Sequence, residues 1–129
     1  MFLFKYFASL YNKKKFILNN RGHHSRDFTY IDDVVDILIK LRLSSQKGFE
    51  IFNICSNKPL GLLKILNFFK NKVPKSNIKM GKRQDADIIK THGDNKLIIK
   101  KTKFKKFTKT EKALLKSHSW YLIYKNIFN

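Results

Sequence analysis

Cysteine is nearly absent from this 129-residue sequence. Cys55 stands alone, which excludes an internal disulfide and a cysteine-rich zinc cage and fits a reducing cytoplasm. It closes the mostly apolar run Ile51-Phe52-Asn53-Ile54 and reads as a small buried residue at a strand end, since a reactive thiol needs activating surroundings. No stretch of about 18 apolar residues exists, so no transmembrane helix is expected. The apolar start carries its charge inside the run and the cluster Lys13-Lys14-Lys15 behind it, the wrong order for a secretory signal, so an amphipathic helix is expected there. Acidic residues are also scarce, 9 against 28 Lys and Arg, for a formal charge of +19. That balance points to nucleic acid or an anionic membrane surface. The basic set, however, is 24 Lys and 4 Arg amid abundant Asn, Ile and Phe, a mixture that an A/T-rich coding sequence yields without any partner.

Glycine is limited to positions 22, 48, 61, 81 and 93, and none falls into G-x-x-G-x-x-G or G-x-G-x-x-G. The tight strand-to-helix turn on which a dinucleotide's phosphates rest is therefore missing from the sequence. His23-His24 and His92 do not make a metal site, because adjacent histidines on a strand point apart and no carboxylate cluster joins them; surface positions are expected. Tyr11…Lys15 and Tyr121…Lys125 have the Tyr-x-x-x-Lys spacing of a phenol activated by lysine. With five Tyr among so many Lys, such a match arises by chance, and neither follows a glycine-rich unit.

The length allows one domain at most, over 1–129. Apolar spacing predicts a helix over 2–12 and a strand at Lys15–Leu18 running into the Asn19-Asn20-Arg21-Gly22 turn. A second strand is expected over 27–31, then a largely buried helix from Val34 to Leu43, loosened by Ser44 and Ser45. Phe49–Ile54 reads as a strand, Leu60–Phe69 as a helix behind Pro59, and Asn77–Met80 as a short strand. Residues 81–94 look irregular. A short helix is expected from Asp94 or Asn95, and a last one from Thr108 or Thr110, where threonine can cap. The tract Lys100–Phe107 between them reads as a solvated loop anchored by Phe104 and Phe107, with anion binding as the alternative. The sum is a mixed α/β chain.

The most informative stretch is Arg26-Asp27-Phe28-Thr29-Tyr30-Ile31-Asp32-Asp33. Phe28, Tyr30 and Ile31 favour an extended backbone, Asp32 or Asp33 can cap the helix behind them, and Arg26 sits at the edge of both. This segment resembles the one found in nucleotide-sugar epimerases and dehydratases of the extended short-chain dehydrogenase/reductase group, UDP-glucuronate 4-epimerases above all. Further matches follow in family order: MFLFKY at 1–6, FNICSNKPLGLLKIL at 52–66, QDADIIKTHGDNKLI at 84–98, and TKFKKFTKTEKALLK with Trp120-Tyr121 behind it.

The resemblance implies the C-terminal, substrate-binding portion of such a fold, an incomplete domain without the N-terminal Rossmann half that holds NAD. In the complete family enzyme a sugar carbon is oxidised by hydride transfer to NAD and the hydride returns to the other face. The catalytic Tyr and Lys lie in the other half, so this chain alone is expected to be inactive unless a separately encoded half supplies them. The resemblance assigns Arg26 to the diphosphate of a UDP-sugar through a two-donor grip; a salt bridge with Asp27, Asp32 or Asp33 is the structural alternative. It places Leu18, Asn19 and Asn20 beside the uracil, and Gln84 and Asp87 in the Q-x-G-D segment near the ribose, where a carboxylate accepts hydroxyl hydrogen bonds. Three departures stand out: Asp85-Ala86 where the family has a residue plus glycine, Cys55 for the glycine of N-I-G, and Lys103 for the glycine of T-G-F. From another class, the alternative is a small basic nucleic-acid-binding protein, marked by steeply salt-dependent binding.

Overall fold

The computed structural model describes residues 2–44 and 48–127. In chain order it contains α1 (Phe2–Tyr11), β1 (Phe16–Leu18), a 3-10 turn (Asn19–Gly22), β2 (Ser25–Arg26), α2 (Ile31–Leu43), β3 (Leu60–Gly61) and α3 (Leu62–Phe69). β4 (Ile78–Met80), α4 (Lys96–Thr102), α5 (Thr110–Tyr124) and a final 3-10 turn (Lys125–Ile127) complete it. The mixed α/β composition is the one the sequence predicts. Two compact units share the chain: Met1–His24, Gly61–Ile89 and Thr110–Asn129 form one, Ser25–Leu60 and Lys90–Lys109 the other.

The first unit is built on aromatic packing. Tyr6, Phe7 and Leu10 of α1, Ile65 and Phe69 of α3, and Leu114 and Tyr121 of α5 are all buried. Phe7 meets Phe69 edge to face at 5.2 Å and lies 5.5 Å from Tyr121, ring separations at which aromatic pairs attract. Beside this core β1 runs parallel to β4 in the register Phe16↔Ile78, Ile17↔Lys79, Leu18↔Met80. Phe16 N–H donates to the Asn77 carbonyl (2.9 Å) and Gly81 N–H to the Leu18 carbonyl (2.9 Å), extending the ladder at both ends. Parallel strands need a long crossover, which the intervening chain supplies.

In the second unit Ile37, Ile98 and Phe104 form the buried centre, and Leu41, Phe52, Ile54 and Phe107 pack against it. Phe104 and Phe107 thus anchor their loop as expected, although Lys100–Thr102 belong to the end of α4. Asp33 accepts hydrogen bonds from Thr108 N–H (2.9 Å) and the Thr108 hydroxyl (2.7 Å). Asp27 accepts from the Ser56 hydroxyl (2.6 Å) and Gly93 N–H (3.2 Å), while its own N–H donates to the Thr91 hydroxyl (3.1 Å). Two carboxylates therefore tie distant segments together.

Those bonds explain several corrections. The strand expected over 27–31 is confined to Ser25–Arg26, because the Asp27 amide is taken by a side chain rather than a neighbouring strand. The α2 cap is Tyr30, without a side-chain cap; Asp32 and Asp33 lie in the first turn, where a negative charge still favours the helix dipole. Within α2 only Asp33 and Ile37 are buried, so the expected largely buried helix is instead apolar on a solvent-facing side as well. Phe49–Ile54 forms no strand. The helix behind Pro59 starts at Leu62, after two extended residues. His24 is buried rather than superficial, whereas His23 and His92 are exposed. Thr108 turns its hydroxyl to Asp33 and caps no helix, and Ser45 lies outside the described residues.

Lys103 closes α4 in the left-handed region (φ 52°), its N–H donating to the Ile99 carbonyl at 2.8 Å. A side chain there is strained, and glycine adopts this helix-ending conformation freely. Lys103→Gly is expected to raise stability in urea unfolding by about 1 kcal/mol, against the usual penalty for glycine. Ile37→Ala, at a fully buried site, is expected to cost about 2–5 kcal/mol in the same assay.

Candidate nucleotide site

Leu18 is buried at the end of β1, and the chain then turns through residues that glycine would normally supply. Asn20 (φ 48°), Arg21 (φ 50°) and Gly22 (φ 80°) are all left-handed. Asn20 manages it with local bonds: its side-chain amide donates to the His23 carbonyl (3.1 Å), and His23 N–H returns to the Asn20 carbonyl (2.9 Å). Gly22 is fixed by space as well, since a Cβ there would stand 2.7 Å from Leu63 and 2.8 Å from Leu18.

The turn is clamped to the segment behind β4. Asn20 N–H donates to the Lys82 carbonyl (3.1 Å) and Arg21 N–H to the Gly81 carbonyl (3.2 Å). Gly81 is close to β1, where a Cβ would meet Ile17 at 2.9 Å and Asn19 Oδ1 at 3.2 Å. A further turn, with Asp87 N–H on the Gln84 carbonyl (3.0 Å), returns the half-buried Asp87 carboxylate to 3.5 Å from Asn19 Nδ2. Neither Asp85 nor Ala86 adopts a positive φ, so this turn closes without the family's glycine.

Five of the six sequence-predicted site residues, Leu18, Asn19, Asn20, Gln84 and Asp87, thus meet in the first unit. An amide and a carboxylate side by side offer a donor and an acceptor pair suited to a base edge and hydroxyls. Arg26 belongs to the second unit, half-buried on β2, with Nη1 donating to the Ser25 carbonyl at 2.8 Å. Asp27 and Asp33, two of its three candidate ion-pair partners, are engaged with Ser56 and Gly93, and with Thr108. Sequence reasoning missed Arg21, Gly81 and Lys82, whose main-chain atoms form the clamp; no periodicity signals a pairing so remote in the chain.

The dinucleotide fit fails on packing as well as on motif. Gly22, Gly81 and Gly93 face side chains at van der Waals contact or closer, Gly93 against Cys55 Sγ. Helix α3 opens on Gly61, but its first amide, Leu62 N–H, is taken by the His24 carbonyl (2.9 Å). Among the described residues no group of His, Cys, Asp and Glu could hold a metal ion, and no helix is long and apolar enough to cross a membrane.

The tyrosines of the two Tyr-x-x-x-Lys pairs pack on the aromatic core, Tyr121 fully buried and Tyr11 partly, whereas Lys15 is exposed. Tyr11 OH lies 2.7 Å from His118 Nε2, and its ring packs against His118 and Tyr121. Burial pushes the Tyr11 and Tyr121 phenols above their ordinary value, the reverse of what proton exchange at neutral pH requires. Burial likewise raises the Cys55 thiol, fitting a packing residue. A difference titration of the parent against Tyr11→Phe should show the Tyr11 phenolate only above pH 10. Its appearance near neutrality would restore Tyr11 and Lys15 as a catalytic pair.

Residues 1–55 match the model of the NAD dependent epimerase/dehydratase family. An uncharacterized protein of Methanocaldococcus jannaschii, MJ1055, is 30% identical over 95% of this chain and 37% of its own length. A probable UDP-glucuronate 4-epimerase of Rhizobium meliloti is 26% identical over 94% of this chain and 41% of its own. Among solved structures, MoeE5 in complex with UDP-glucuronic acid and NAD superposes with a TM-score of 0.83 at 18% identity, over 93% of this chain and 40% of that one. The chain therefore spans about 40% of the length of these relatives and has the fold of part of an extended short-chain dehydrogenase/reductase. By the match over residues 1–55 and the shared fold, it is similar to the NAD dependent epimerase/dehydratase family.

Proposed function

We propose that this chain is the C-terminal, sugar-nucleotide-binding portion of an NAD-dependent epimerase of the UDP-glucuronate 4-epimerase type. The observation that carries the reading is the clamped turn: Asn19, Asn20 and Asp87, far apart in sequence, converge where β1 ends. Leu18, Asn19 and Asn20 would border the uracil, Asp87 and Gln84 the ribose, and Arg26 would grip the diphosphate. Relatives described as UDP-glucuronate 4-epimerase, or solved with UDP-glucuronic acid, support that choice of ligand. NAD would be held by polypeptide other than this chain, since its glycines do not fit the group. The catalytic Tyr and Lys would come from the same source, the N-terminal Rossmann half of such an enzyme.

Isothermal titration with UDP-glucuronate tests the reading at fixed salt. The parent should bind saturably and UDP should compete. Loss of hydrogen bonds to a charged group costs about 1.5–3 kcal/mol, so Arg26→Ala should weaken binding roughly tenfold or more. Asp87→Asn should weaken it less, by removing only the ribose acceptor's charge. With NAD added, the chain alone should give no epimerised product. Binding that collapses with salt and ignores UDP would replace this reading by the polyanion one.

A further inference from the structure

A cavity of about 520 Å³ opens in the first unit where the β1–β4 ladder begins, the end opposite the Asn19–Gly22 turn. Its size is that of a small-molecule site. Leu10, Tyr11, Lys13 and Lys14, at the close of α1, form one wall, and Pro74 and Lys75, on the approach to β4, form the other. No acidic residue lines it. Among the described residues Lys13, Lys14 and Lys75 form no ion pair. Lysines behind a helix ordinarily offset its exposed carbonyls. Here backbone amides already take those carbonyls: Asn12 N–H donates to Ala8 (3.0 Å), Lys14 N–H to Ser9 (2.8 Å) and Lys13 N–H to Leu10 (3.3 Å). The ammonium groups are left without that task. Both walls are also held from behind. Lys13 turns the chain in the left-handed region (φ 52°), a cost that glycine would escape, and the bonds just described keep it there. Tyr11 is held through its hydroxyl, 2.7 Å from His118 Nε2. On the other wall Ser76 hydrogen-bonds the Tyr6 hydroxyl, and the Asn77 carbonyl accepts from Phe16 N–H (2.9 Å).

We infer that this cavity binds a small organic phosphate, with Lys13, Lys14 and Lys75 around the phosphate and Leu10, Tyr11 and Pro74 against the organic part. A cleft lined by charge of one sign concentrates the opposite charge within it, and lysine serves phosphate as a point-charge donor. Three like charges at one cavity repel one another until an anion stands between them. The apolar and aromatic lining is what a bare inorganic ion would leave unused. The inference does not rest on the UDP-sugar reading, since none of these residues belongs to the candidate nucleotide site.

The test is an amide-resolved NMR titration of the full chain with phenyl phosphate and, separately, with inorganic phosphate, at one ionic strength. Phenyl phosphate should give saturable shifts centred on Lys13, Lys14, Lys75 and Asn77, and bind more tightly than inorganic phosphate. Lys14→Gln with Lys75→Gln should weaken its binding at least about tenfold. Lys105→Gln with Lys106→Gln removes the same charge elsewhere and should change it by less than about twofold. All four lysines are exposed, so the circular dichroism of both double variants should match the parent. Asp87→Asn should leave the titration unchanged, so that this inference and the nucleotide reading fail separately. Equal weakening by the two double variants, or shifts that spread over Lys100–Lys106 without saturating, would reduce the cavity to diffuse attraction and overturn the inference. Inorganic phosphate binding as tightly as phenyl phosphate would overturn the organic part of the assignment.

Discussion

The parallel pairing of β1 with β4 is the contact on which the candidate site depends. Three residues on each side fix the register, and the candidate site residues of the first unit hang from its end. With Leu18 opposite Met80, the Asn19–Gly22 turn must meet Gly81 and Lys82, and the 84–87 turn must bring Asp87 back to Asn19. A slip by one residue would turn Leu18 out of the core and break both clamping amides. The left-handed run at Asn20, Arg21 and Gly22 is held against its intrinsic cost by those bonds, the pattern expected of a turn shaped for a purpose.

The second unit solves the same problem with carboxylates. Asp27 gathers Ser56, Thr91 and Gly93, and Asp33 gathers Thr108, so loops with little regular structure are fixed by side-chain bonds. Two members of the most informative octapeptide are thereby structural. Its arginine belongs to a unit different from the one that holds Leu18, Asn19, Asn20, Gln84 and Asp87.

Much of this was legible in the sequence because it is local. Helix α1, strands β1 and β4 and the irregular 81–94 stretch follow from periodicity and composition, and the glycine-like turn from Asn-Asn-Arg-Gly; α4 starts behind Asn95 as expected, but without a side-chain cap. What failed depends on partners. Residues 27–31 and 49–54 have strand composition but no neighbouring strand, and α2 has apolar residues enough for burial that this chain does not provide. Composition reports what a segment can bury, not whether the covering surface is present. Likewise Lys103 occupies a left-handed position where the family glycine belongs, a mismatch that sequence comparison flags and backbone geometry explains. His24 could not be placed from spacing, since its burial comes from long-range packing.

The central claim is that the turn behind β1, and not the diffuse positive surface, is where a uridine nucleotide sits. An amide-resolved NMR titration with UDP tests it most directly. The account predicts saturable shifts concentrated at Asn19, Asn20, Arg21, Gly81 and Asp87. Shifts spread instead over Lys13, Lys14, Lys15 and the Lys100–Lys106 tract, without saturation and erased by salt, would contradict it.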